Sequence, residues 1–393
     1  VNSGKKKILI ASCIHWNSHI QVGEHFLARQ FAKAGWEVAF LSDPVTPLHL
    51  FKGFSKELVS RLRNYVSGGV SDCRFPLWGY VPGGLVMPYN LPVLRRPWVH
   101  DHWQGMTFPD LESRVREKGF GKVDVLFLRT PRQAFWLDCI QYDCAIYRVA
   151  DNYAGNEDYY EEFRKREQQV AGKVDLIVYS AKTLKSYVDG LAPHKGLYLP
   201  NGVDFEHFSN SQPRPCEYSE IGGPIVLHVG SILDERFDFA AIDLATEALP
   251  EAQFVFVGPS ELAKRRLARR RNLHLLGSRP YEQIPAYMQH ADVGLIPFDP
   301  DKNSILVNAI NPLKLYQYLA SGLPVVARSW KELRDIAAPI RLADSREDFV
   351  EGIRAVLAAG RQHAAMRKEF SRKHDWKERF QVLVSAIGAL SKS

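Results

Sequence analysis

The sequence predicts an α/β protein made of two doubly wound, Rossmann-like domains, and three observations predict it. Short β-branched runs alternate with helical periodicity along nearly the whole chain. The alternation stops once, in a stretch without apolar period, and then restarts. The length, 393 residues, exceeds what one hydrophobic core readily serves.

In the first half, KILIAS (7–12), EVAFLS (37–42), VDVLFL (123–128), DLIVYS (175–180) and GLYLP (196–200) read as buried parallel strands, because both faces of such strands are apolar. Residues 23–34 and 156–171 carry the intervening helical periodicity. SNSQPRPCEYSEIGGP (209–224) is rich in Ser, Pro and Gly, as an interdomain linker would be. The pattern resumes with IVLHVG (225–230), QFVFVG (253–258), LHLLG (273–277), DVGLIPF (292–298) and LPVVA (323–327). The expected division is an amino-terminal domain over 1–208, a linker over 209–224 and a second domain over 225–374. A final helix, 375–393, would cross back onto the first domain. Two such halves would oppose the carboxyl ends of their sheets across a cleft. Residues 44–108, with many prolines and the aromatics Phe75, Trp78, Tyr80, Trp98 and Trp103, break the regularity and read as an irregular subdomain.

Composition narrows the function. With 46% apolar and 24% charged residues the chain is neither disordered nor fibrous. A net charge of +7 favours anionic partners such as nucleotide phosphates, lipid headgroups or nucleic acid. No apolar run nears the roughly 18 residues that cross a bilayer, and VNSGKKKILIAS is too short and strand-like for a signal peptide, so the chain reads as cytosolic. Five cysteines without C-x-x-C spacing indicate neither a disulfide framework nor a zinc site. His15 and His19 lack a third ligand, so no metal is expected.

The most informative segment is NPLKLYQYLASGLPVVA (311–327). Asn311 suits an N-cap, Pro312 the first helical position and Gly322 the stop, which puts Lys314 in the first turn. Exposed amides and the dipole already favour an anion there, and the lysine completes a phosphate site; a solvated first-turn lysine is the plain alternative. This segment resembles the nucleotide-sugar motif N-P-x-K-x-x-E-Y-x-A-x-G-x-P-V-V of GT-B glycosyltransferases of bacterial polysaccharide synthesis. PNGVDFEHF (200–208) is similar to their interdomain signature, QVGEHFLARQFAKAGWEVAFLS (21–42) to their first helix and second strand, and HDWKERFQVLVSAI (374–387) to their final helix. Gln317 replaces the glutamate of many relatives and is similar to the membrane-associated glucuronosyltransferases of the xanthan type, as is SDPVTPLHLFKGF (42–54). An amide still bonds a hydroxyl and does not repel a uronate, which tilts the expected donor toward UDP-glucuronate.

YRVADNYAGN (147–156) reads as a strand ending near Asp151, where a carboxylate could take the proton of an acceptor hydroxyl. A turn or N-cap aspartate is the structural alternative. The resemblance implies the role of catalytic base for Asp151. After the first strand of the second half, Gly230 and Ser231 permit close approach of a diphosphate, and Asp234, Arg236 or Asp238 could face the cleft. Asp238 suits a helix cap equally well. GSRPYEQIPAYMQHADVGLIPF (277–298) is similar to the stretch that brackets base and ribose, with the Arg279–Tyr281 backbone at the uracil edge, and Ile284, Tyr287 and Met288 as core residues. Phe298 and the polar loop Asp299–Asn303 are expected at the cleft mouth, where Lys302 could meet a phosphate or a sugar carboxylate, a solvated loop lysine being the plain alternative, and His19, Gln21 and Glu24 are candidates on the acceptor side.

The basic, aromatic stretch 75–103 is a candidate contact for an anionic membrane, and an ordinary packed subdomain is the alternative. KRRLARRR (264–271) is an exposed helix face or a second lipid contact. No G-x-G-x-x-G follows a strand and no P-loop motif occurs, which disfavours a nicotinamide dehydrogenase and a kinase. A sugar-nucleotide 2-epimerase shares the architecture, and a basic nucleic-acid binder shares the charge but would need a recognition element that is not found. The reading expected overall is an inverting transferase at the inner face of the cell membrane. It would move glucuronate from a UDP-sugar co-substrate to a lipid-diphosphate-linked oligosaccharide of an exopolysaccharide, with no cofactor, no metal and no nucleic-acid partner.

Overall fold

The computed structural model describes residues 4–51, 55–155 and 159–390. Five expectations therefore run partly outside the described residues: 1–3 of the expected amino-terminal domain, 52–54 of SDPVTPLHLFKGF, 156 at the end of YRVADNYAGN, 156–158 at the start of the expected 156–171 helix, and 391–393 of the final helix. The chain divides into two compact units, one formed by residues up to Leu199 with those from Phe380 onward, the other by Pro200–Arg379. Both are α/β and Rossmann-like.

The first unit is built on β1 (Lys7–Ala11), β2 (Glu37–Leu41), β3 (Val70–Asp72), β4 (Leu77–Tyr80), β7 (Lys122–Leu128), β8 (Gln141–Val149), β9 (Leu176–Tyr179) and β10 (Gly196–Tyr198), while β5 (Gly83–Gly84) and β6 (Thr107–Phe108) form a separate antiparallel ribbon. The order across the sheet is β10-β9-β8-β7-β1-β2-β4-β3, parallel except for the β3/β4 pair. Ile8, Leu9 and Ile10 are buried on both faces of the sheet, which is why β1 reads as a continuous apolar run; each such side chain contributes about 1.5–3 kcal/mol. The helix Gly23–Lys33 covers this region with Phe26, Leu27 and Phe31, and Phe380 of the terminal helix Trp376–Leu390 meets Phe31 edge-on at 4.9 Å.

Residues 44–108 are less irregular than expected. β4 pairs with β2 and extends the main sheet, and Trp78, Tyr80 and Trp103 are buried. The short runs and a glycine within LWGY hide that strand in the sequence.

The second unit holds β11 (Ile225–Val229), β12 (Gln253–Val257), β13 (Leu273–Gly277), β14 (Val293–Ile296), β15 (Val325–Arg328) and β16 (Arg341–Ala343), all parallel in the order β13-β12-β11-β14-β15-β16. One core packs Leu227, Val229, Leu315 and Leu319 on one face, and another packs Val226, Phe256, Ile242 and Phe349 on the other. The stretch 209–224 is not an open linker. It carries the helix Glu217–Glu220, buries Tyr218 and ties Glu217 to Arg279 at 2.9 Å, anchors that a Pro- and Ser-rich composition does not announce.

Strand order reverses between β1 and β7 in the first sheet and between β11 and β14 in the second. In open parallel sheets such a switch point leaves a crevice at the carboxyl ends of the strands, where ligands bind.

Candidate functional site

In the second unit the residues at that switch point are Gly230, directly after β11, and Phe298, just after β14. Gly230 adopts φ +117°, and a Cβ there would lie 3.3 Å from Lys314 Nζ. Neighbouring Gly258 approaches so closely that a Cβ on it would reach the Gly230 carbonyl oxygen at 2.2 Å, which only glycine permits. The helix Leu313–Ala320 is fixed beneath β11 by the Val229 amide, which donates to Tyr318 Oη at 2.9 Å. Pro312, not Asn311, occupies the N-cap position; the Asn311 side chain donates instead to Glu332 at 3.2 Å. A proline can stand there because the first helical amides lack intrahelical partners anyway.

Lys314 is in the first turn as expected, and its ammonium lies 5.3 Å from the centre of the Phe298 ring. Burial pulls its pKa down to about 7, and nearby Arg236 adds to the effect. The Arg236 guanidinium stands 5.6 Å from the same ring, and its Nε is buried without a hydrogen-bond partner. Among the described residues no carboxylate pairs with either cation. Two cations thus share one aromatic ring beside a glycine turn, a surplus of positive charge that an anion would relieve. Gln317 lies three residues after Lys314, on the same helical face, and Ser231 follows Gly230 directly. Arg236 appeared in the sequence only as one of three cleft-facing options; its spacing from the β11 turn was the available signal.

The side chains of other expected donor residues have partners within the chain. Asp238 is the helix cap: it accepts from the Ala241 amide at 3.0 Å, pairs with Arg328 and with Arg346 at 2.9 Å, and has a fully buried side chain that leaves no surface for a ligand. Lys302 pairs with Asp234 at 3.1 Å. The Arg279 side chain holds Glu217, Tyr287 and the Leu276 carbonyl, and the Tyr281 ring stacks on His207 at 4.7 Å. Both follow β13, two strands from β11. Ile284, Tyr287 and Met288 are buried, as expected.

In the first unit, Arg129 follows β7 at the switch point. It donates to Asp151 Oδ2 at 3.0 Å, and Asp151 lies two residues past β8 with its side chain 30% exposed. Arg129 also holds Tyr153 Oη and, through Nε, Glu24 Oε1 at 3.1 Å. Arg148 reaches the same Glu24 oxygen at 3.3 Å. Glu24 is only 1% exposed, so it cannot contact an acceptor as expected; its burial follows from its place in the first turn of Gly23–Lys33, against the sheet. Gln21 is held by its own contacts, donating to the Ser18 carbonyl at 2.7 Å and accepting from Arg29. His19 is exposed. Burial pushes the nearby Cys13 thiol up to about 11, keeping it protonated. Arg129 carried no motif in the sequence, and only its position after a central strand could have marked it.

Of the aromatic stretch 75–103, Trp98 is 58% and Val93 66% exposed, beside exposed Leu91, Arg95 and Arg96. In the 264–271 cluster Lys264, Arg266 and Arg270 pair with Glu261, Asp234 and Glu247. Among the described residues no group of three or more His, Cys, Asp or Glu could hold a metal ion, and no helix is long and apolar enough to cross a membrane.

Residues 10–180 match the family described as glucuronosyltransferase GumK, N-terminal domain, and residues 223–359 match glycosyl transferases group 1. The chain is a glycosyltransferase. The transferase is 27% identical over 271 residues to the putative teichuronic acid biosynthesis glycosyltransferase TuaH of Bacillus subtilis (strain 168), a match covering 64% of this chain and 67% of that one. Sucrose-phosphate synthase of Thermosynechococcus elongatus superposes with a TM-score of 0.67 at 14% identity, over 98% of this chain and 99% of that chain. HepE of Anabaena in complex with UDP-glucose gives 0.65 at 13% identity, over 98% and 99%. These likenesses show the fold of the glycosyltransferase to be GT-B, and its sequence relatives are bacterial sugar transferases of the GumK and TuaH kind.

Proposed function

We propose that this glycosyltransferase moves glucuronate, with inversion, from UDP-glucuronate to a hydroxyl of a lipid-diphosphate-linked oligosaccharide in bacterial surface-polysaccharide assembly, at the inner face of the cell membrane. The observation that carries the reading is the Lys314 and Arg236 pair around Phe298, two cations without a described counter-anion at the switch point of the second unit. A donor diphosphate supplies that anion. Gly230 and the Ser231 backbone admit its oxygens, and the start of the helix Leu313–Ala320 adds its amides. Gln317 meets the sugar without repelling a uronate. Support for a nucleotide-sugar donor comes also from the UDP-glucose bound to HepE, and for glucuronate from the description of the family matched by residues 10–180.

Asp151 takes the proton of the acceptor hydroxyl as that oxygen bonds the sugar carbon and the carbon–diphosphate bond breaks, so UDP leaves with the bonding electrons. One carboxylate suffices, because inversion needs no covalent intermediate. Lys314 and Arg236 stabilise the charge on the departing diphosphate. Exposed Leu91, Val93 and Trp98 with Arg95 and Arg96 support reversible attachment to an anionic bilayer.

The experiment is a calorimetric comparison of UDP-glucuronate with UDP-glucose and GDP-mannose. Tighter binding of UDP-glucuronate supports the reading, and equal or weaker binding than UDP-glucose removes the glucuronate assignment. Q317E should reverse the preference, because it places a carboxylate against the uronate.

A further inference from the structure

We propose that Glu24 and Arg129 are positioning residues for the acceptor-activating carboxylate, a buried ionic relay that fixes Asp151 by one oxygen and balances the charge around it. The inference rests on the reading of Asp151 as base and deepens it.

All three guanidinium nitrogens of Arg129 are used, each by a different side chain. Nε goes to Glu24 Oε1 at 3.1 Å, one terminal nitrogen to Asp151 Oδ2 at 3.0 Å and the other to Tyr153 Oη. Tyr153 Oη donates back to the Arg129 carbonyl at 3.3 Å, and the Arg129 amide donates to the Ala11 carbonyl at 2.9 Å. The arginine is therefore fixed at both backbone and side chain. Asp151 is held at Oδ2 alone, and among the described residues no partner of Oδ1 is recorded. An oxygen tethered by a planar, rigid donor leaves its twin in a set direction, as a proton acceptor requires.

Glu24 explains why the tether can sit there. Arg129 and Arg148 both lie in or beside the sheet, with side chains 13% and 1% exposed, and Glu24 is the buried carboxylate they share. Its Oε2 is buried without a hydrogen-bond partner in the chain, and the two arginines offset the charge of the carboxylate. The groups around Asp151 are Arg129 after β7, Arg148 on β8, Tyr153 beyond it, Glu24 on the helix Gly23–Lys33, Cys13 after β1 and, behind Tyr153, Glu167 on the helix Glu161–Lys173. Burial raises Tyr153 and Cys13 so that both stay neutral. Glu167 accepts from Tyr147 Oη at 2.8 Å and from Tyr187. Arg129, Arg148 and Glu24 are thus the charges nearest the base.

Removing Glu24 leaves two arginines to act on Asp151, whereas removing Arg129 takes away its tether and a positive charge. The two changes should shift the acid limb of the rate profile in opposite directions. A role confined to packing gives no such opposition.

The test measures UDP release from UDP-glucuronate with a lipid-diphosphate-linked oligosaccharide acceptor, as kcat and donor KM across pH, for wild type, E24Q, R129M, R129K and D151N. E24Q should move the acid limb of kcat to lower pH and R129M to higher pH, each lowering kcat about tenfold or more with donor KM within twofold. R129K, which keeps the charge, should return the limb toward wild type. Limbs that coincide with wild type in E24Q and R129M, or that move together, overturn the relay. D151N separates the two ideas: full turnover in D151N rejects the base itself, while an inactive D151N with unmoved limbs rejects only the relay. Should E24Q not fold, the R129M and R129K pair alone decides, because loss and return of the limb must then follow the charge.

Discussion

The Lys314 ammonium stands over the Phe298 ring at 5.3 Å, in a partly buried site where no described carboxylate balances it. A cation kept in that state loses hydration without gaining a partner, so its preferred complement is an anion brought by a ligand. K314A should weaken UDP binding by roughly 10- to 100-fold, the loss of a charge-assisted contact, while uridine, which has no phosphate, binds as before. Calorimetry on both ligands checks this.

Acidity gives a second handle on the same residue. With its pKa near 7 in the free protein, Lys314 is increasingly neutral as pH rises above that value, and binding a diphosphate must then bring a proton with it. UDP affinity should fall between pH 7 and pH 9, by up to about tenfold per unit, although the ligand's own charge is already complete there. In K314R the guanidinium stays charged, and the decline should vanish. Proton uptake is read directly from binding heats in buffers of different ionisation enthalpy.

Arg236 shares the Phe298 ring with Lys314 at 5.6 Å, and its presence next to the lysine is repulsive until an anion arrives. R236A should therefore weaken UDP but not uridine, and should raise the pH at which affinity begins to decline. Titration of the variant over the same pH range measures both effects.

Asp238 should behave as a structural residue. Its carboxylate caps a helix and pairs with buried Arg328 and with part-exposed Arg346, so D238A leaves the buried Arg328 with only the longer 3.7 Å contact to Asp301 and should cost about 3–5 kcal/mol of stability. Denaturant unfolding reports this, and the UDP affinity of the folded fraction should remain that of wild type.

Much of the fold was legible because buried parallel strands write themselves as apolar runs: β1, β2, β7, β11 and β12 are all such runs. β4 was not, since Leu77–Tyr80 is four residues long with a glycine inside and takes its strand identity from pairing with β2. The position of Lys314 in a first helical turn could be read from local helix signals, and that of Asp151 just past a strand from the apolar run before it, while the role of base for Asp151 came from the resemblance alone. The burial of Glu24 and Asp238 could not, because a charged residue reads as exposed until the arginines that enclose it, distant in sequence, are known. Arg129 was hidden for the same reason: its place at the switch point comes from strand order, which no local pattern encodes, whereas Arg236 was one of three candidates after the first strand of the second half.

The central claim, that a single carboxylate accepts the acceptor proton while a separate cationic pocket holds the donor, is tested most directly by D151N. Turnover and UDP affinity should be measured on the same preparation. The account predicts turnover reduced roughly 100- to 10,000-fold with UDP binding within twofold of wild type. Turnover equal to wild type would contradict it.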